Sequence, residues 1–86
     1  MFEIRQATPG SVKFLRIQLA TARAFLDIAQ TSRGQDALQR NLHNAEVAIA
    51  AINRVLTLDE IDRQDAEEIR SAARAIADQL DSFSAR

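Results

Sequence analysis

Apolar residues recur along this chain at helical spacing, and the first third carries more of them than one buried face requires. Val12, Leu15, Leu19, Ala22, Leu26 and Ala29 follow one another at intervals of three and four, the signature of a single helical stripe. A second set, Phe14, Ile17, Ala24, Phe25 and Ile28, widens that stripe. Together they cover roughly 220° of the helix circumference, whereas a core-facing stripe needs little more than about 100°. The polar remainder is narrow: Lys13, Arg16, Arg23, Asp27 and Gln30. This pattern predicts a central helix over about residues 9–31 that touches more than one neighbour. Thr8-Pro9 makes a good start, with a capping hydroxyl and a proline whose missing donor costs nothing in the first turn; Ser11 is an alternative cap.

The next stretch, Thr31-Ser32-Arg33-Gly34-Gln35, breaks the pattern. Two readings fit it: a capping box from Ser32 to Gln35, or Gly34 as the positive-φ residue that stops the first helix. Either implies a short turn and an antiparallel second helix. That helix, about 35–55, has the cleanest periodicity, with Leu38, Leu42, Ala45, Ile49, Ile52 and Leu56 in unbroken alternation of four and three. Ala48 and Val55 broaden its stripe. The run is shorter than three heptads, which favours bundle packing over a two-stranded coiled coil.

Leu56-Thr57-Leu58-Asp59-Glu60-Ile61 reads as a helix start. Thr57 and Glu60 have the spacing of a capping box, Leu56 and Ile61 that of its hydrophobic staple, and the acidic pair suits the positive end of the helix dipole. A third helix is therefore expected over about 58–83, with Ile61, Ile69, Ala72, Ala73, Ile76, Leu80 and Phe83 as its apolar set. Asp62 and Asp65 conflict with that reading, because a helix from 58 puts both on the apolar stripe. Either the first turns project beyond the bundle, or the helix restarts near Asp65. Residues 1–8 form an N-terminal arm in which Phe2 and Ile4 alternate with charges, a frayed end or a cover for part of the first helix.

The whole pattern predicts an all-α, antiparallel up-down-up three-helix bundle about 30 Å long, with residues 1–86 as one domain. In layout it resembles short three-helix domains of the microtubule-interacting-and-transport type and tetratricopeptide hairpins, a likeness of architecture that no motif extends. Composition sharpens the picture. Alanine supplies 16 of the apolar residues, so the core is thin and helices can approach closely. With 86 residues and no cysteine, a single core is marginal and no disulfide or thiolate site supports it. Self-association is the remaining route to extra stability, and pairing into a larger bundle as a homodimer is expected.

Charge and hydropathy exclude several classes. Net charge is −1, graded from +2 over residues 1–31 through +1 over 32–56 to −4 over 57–86. No basic cluster exists to neutralise several phosphates, so nucleic acid is not an expected partner. No apolar run approaches the roughly 20 residues of a membrane span, and the first residues lack the form of a secretory signal. The expected location is the cytoplasm.

Candidate chemistry is sparse. His43 is the only histidine. Its expected exposure on a bundle helix resembles the phosphate-accepting histidine of histidine phosphotransfer domains. Those domains show H-x-x-K-G, whereas Glu46 and Val47 stand in the last two places here. A carboxylate one turn from a phosphohistidine repels the phosphate, so a phosphorelay is the least favoured reading. The acidic residues Asp59, Glu60, Asp62, Asp65, Glu67 and Glu68 lack the glycine turn and alternating ligands of a calcium loop, and no Glu-x-x-His of a di-iron bundle occurs. No metal, cofactor or catalytic residue is expected, and the chain is not read as an enzyme. The feature with functional content is the surplus face of the first helix. Phe14, Ile17, Thr21, Ala24 and Ile28 are expected to form an interface with a second copy of the chain. The alternative is a monomeric adaptor whose groove accepts a helix of another protein.

Overall fold

In a computed structural model, which describes residues 9–58 and 60–84, three helices pack as an up-down-up bundle. They are α1 (Pro9–Thr31), α2 (Gln35–Leu58) and α3 (Arg63–Ser84). The expected arm, residues 1–8 with Phe2 and Ile4, lies outside the described residues.

The predicted stripes supply the core. Leu15, Ala22, Leu26 and Ala29 from α1, Ala45, Ala48, Ile49 and Ile52 from α2, and Ile69, Ala73, Ile76 and Leu80 from α3 are buried. Val12, Leu19, Phe25, Leu42, Val55, Leu56 and Phe83 pack half-buried around them. No polar or charged side chain is buried among the described residues. The antiparallel pair α1–α2 shares the most extensive contact. Its physical basis is side-chain size: four buried alanines lie on these two helices, whereas α3 presents mainly Ile and Leu to the core. Small side chains let backbones approach; longer ones hold α3 further off.

Both helix junctions differ in detail from their local motifs. At the first, Gly34 does not adopt the left-handed backbone, and a Cβ there meets nothing within 4 Å. It is instead the N-cap just ahead of α2, its carbonyl accepting the Leu38 amide at 3.0 Å. Ser32 closes α1 rather than opening α2: its hydroxyl donates to the Ile28 carbonyl at 2.8 Å, joined there by the Thr31 hydroxyl at 3.1 Å. These bonds satisfy one of the carbonyls left without a partner at a helix end.

At the second junction the Thr57–Glu60 capping box does not form. α2 runs on through Leu58, three residues beyond the expected end, and the Thr57 hydroxyl donates to the Asn53 carbonyl at 2.9 Å within that helix. α3 starts at Arg63 instead of near Leu58. Its cap is Asp62, whose Oδ2 accepts the amides of Gln64 at 3.1 Å and Asp65 at 3.4 Å. The physical reason is the conflict already visible in the pattern. A helix from 58 carries Asp62 and Asp65 into the apolar stripe, where desolvation penalises both. Starting at 63 converts Asp62 into a cap and leaves Asp65 half-buried in the first turn, with Ile61 just ahead of the cap and packed on the core.

Candidate interaction surface

One ion-pair cluster fixes which flank of α1 faces α3. The Arg16 guanidinium lies 3.4 Å from both Asp65 Oδ1 and Glu68 Oε1 in the first turns of α3. Arg16 and Glu68 are well exposed and Asp65 is half-buried, so the cluster orients more than it stabilises. It also joins the basic first segment to the acidic last one. At 100° per residue, Arg16 projects about 100° to one side of the Leu15 core direction. The α3 flank of α1 is therefore the side of Arg16, Arg23 and Gln30.

The other flank carries the surplus apolar residues. Ile17 is 52% exposed, Ile28 48% and Phe14 39%. Ala24 is exposed and Thr21 half-buried. On the helical wheel, Ile17 and Ala24 point nearly opposite the core, while Ile28, Thr21 and Phe14 lean from there toward α2. These five follow one another at intervals of three, four, three and four, so they form a continuous row over about 21 Å of helix. All five expected interface residues thus share one face of α1 that neither α2 nor α3 buries. Phe25, from the same widened set, is drawn half-buried against the core and leaves the row.

α2 carries exposed apolar side chains of its own, which the sequence pattern did not single out. Val47 is 53% exposed and Leu58 73% exposed. All the large exposed hydrophobics among the described residues lie on α1 and α2, none on α3. The signal for Val47 was its position between His43 and Arg54, off the main stripe; polar neighbours masked it. A different surface, between α2 and α3, is a shallow open groove of about 240 Å³ bordered by Glu46, Ala50, Asn53, Ala77 and Asp81. Ile49 and Leu80 also line it, so apolar side chains share it with the carboxylates of Glu46 and Asp81.

Chemistry-bearing groups do not converge. His43 is exposed on the outer side of α2, one turn from the exposed Glu46. Among the described residues, no group of three His, Cys, Asp or Glu side chains is placed to hold a metal ion. The carboxylates of α3 are distributed between the Asp62 cap, the Arg16 cluster and solvent. No described helix is long and apolar enough to cross a membrane. Compared with known proteins, the chain matches no family, no curated protein and no solved structure.

Proposed function

We propose that this protein is a non-catalytic interaction module that self-associates through the outer face of α1. The observation that carries this reading is the row Phe14, Ile17, Thr21, Ala24 and Ile28, exposed at every position but the half-buried Thr21 over about 21 Å of the helix. A scattered exposed hydrophobic needs no explanation, but a continuous row marks a binding surface. Its partner is a second copy of the same chain, forming a homodimer. Small domains without disulfides or metals commonly gain stability in this way.

The magnitudes are compatible with a reversible dimer. Withdrawing the row from water on two copies removes on the order of 500 Å² of apolar surface, worth on the order of 10 kcal/mol at about 25 cal/mol per Å². Association costs of about 4–15 kcal/mol oppose it. Gain and cost are of similar size, so a dimer held by this row alone is weak and dissociates on dilution. Cytoplasmic location belongs to the same proposal, since a secreted domain of this size is ordinarily stapled by disulfides and this chain has no cysteine.

The test is solution mass by light scattering across a dilution series, on the wild type and Ile17→Glu. A wild-type dimer that the substitution converts to a folded monomer supports the proposal. A wild type that is monomeric at every concentration overturns self-association and leaves the adaptor reading, in which the same face takes a helix of another protein. Unfolding of Ile17→Glu shows instead that the face belongs to the core.

A further inference from the structure

The charges beside the apolar row select one orientation for the partner copy. Lys13, Ala20 and Asp27 lie seven residues apart on α1, all exposed, in a line along the α3 side of the row. Neither Lys13 nor Asp27 forms an ion pair among the described residues. The line is therefore positive at one end, negative at the other and small in the middle.

From this we infer that two copies pair through α1 in antiparallel register about a two-fold axis between Ala20 and Thr21, which brings Lys13 of each within one residue of Asp27 of the other. The inference rests on the self-association reading above. Three matches converge on that register. Reversing one helix about that point sets Ile17 against Ala24 of the second copy, a large side chain against a small one. Phe14 then comes within one residue, about 1.5 Å along the axis, of Ile28 at each end. At the centre, Thr21 meets its own equivalent, and two hydroxyls, each both donor and acceptor, satisfy one another. Ala20 beside the axis permits close approach, and the flanking line aligns Lys13 with Asp27 twice, once on each side of the axis. An isologous two-fold contact requires this kind of self-complementarity.

A parallel pairing keeps only the Thr21 contact. It sets Phe14 on Phe14 and Ala24 on Ala24, crowding one layer and leaving a gap in another. Lys13 then falls beside Gln18 of the partner copy and Asp27 beside Ser32, with no opposite charges in contact. Charge complementarity sets orientation and register more than affinity. The pair Lys13–Asp27 accordingly determines which way the second copy lies, while the row supplies the attraction.

The deciding experiment measures dimer dissociation by sedimentation equilibrium for Lys13→Glu, Asp27→Lys and their equimolar mixture. Each single variant places two like-charge contacts in its own dimer and should dissociate roughly tenfold more readily than wild type. Mixing the two restores opposite charges at both contacts, so a heterodimer with near wild-type affinity is expected. A wild-type dimer unaffected by either reversal, or a mixture no tighter than its components, overturns the antiparallel register while leaving self-association standing. A monomeric wild type overturns both. Cysteine cross-linking reads the register separately, because the chain has no cysteine of its own. Under mild oxidation Thr21→Cys should link to itself and Ile28→Cys should not, since the two Ile28 positions lie about 21 Å apart. Equal linking at both positions contradicts the register.

Discussion

Leu26 and Ile28 stand two positions apart on α1, yet Leu26 is sealed in the core and Ile28 is half in water. On a helix two positions rotate a side chain by about 200°, so neighbours in sequence are opposites in environment. Both belong to apolar sets that the spacing separates correctly, one as core and one as surplus. The core assignment has a direct stability consequence. Leu26→Ala should cost about 2–5 kcal/mol, read as a lowered denaturant midpoint with little change in slope. A substitution within about 0.5 kcal/mol of wild type contradicts its place in the core. Val47 shows the limit of such reasoning. A single apolar residue among polar neighbours carries no periodic signal, and its membership of an exposed face depends on where α1 and α3 lie.

The helices as elements were almost wholly legible, and their ends were less so. α1 coincides with the span that periodicity and Pro9 predict, because a stripe of this length tolerates no other local structure. The error fell at α3, where Thr57 and Glu60 have the spacing of a capping box but the Thr57 hydroxyl turns back to Asn53 instead. A capping motif states what a side chain is able to bond, not which of two competing helix ends wins. That competition was settled by burial, since only the later start keeps Asp62 off the apolar stripe. Asp62→Ala should therefore cost about 1 kcal/mol and fray the first turn of α3, with amide exchange at Gln64 and Asp65 accelerating first. Protection unchanged at those two amides contradicts the cap. Gly34 teaches the same lesson from the other side: its position suggested a left-handed stop, yet it serves as the N-cap of α2.

The molecule as a whole is an α1–α2 pair brought together through alanines, with α3 laid against one side. α3 covers the face on which Arg16 meets Asp65 and Glu68; the opposite flank of α1 keeps Phe14, Ile17 and Ile28, and α2 has Val47 and Leu58 exposed. If that face is closed by a second copy, unfolding is linked to dissociation. The thermal midpoint should then rise as protein concentration is raised a hundredfold, while that of Ile17→Glu stays constant. A wild-type midpoint independent of concentration argues against the dimer.

Three helices, their order, two tight turns and the residues of the core followed from local pattern alone, because helical periodicity and turn chemistry act over a few residues. So did the surplus row on α1, which is a count of apolar positions exceeding what one core face absorbs. The start of α3, the roles of Ser32 and Gly34, and the flank of α1 left in water were decided only by tertiary structure. Each depends on which surface lies opposite, a relation between residues distant in sequence that no local spacing encodes.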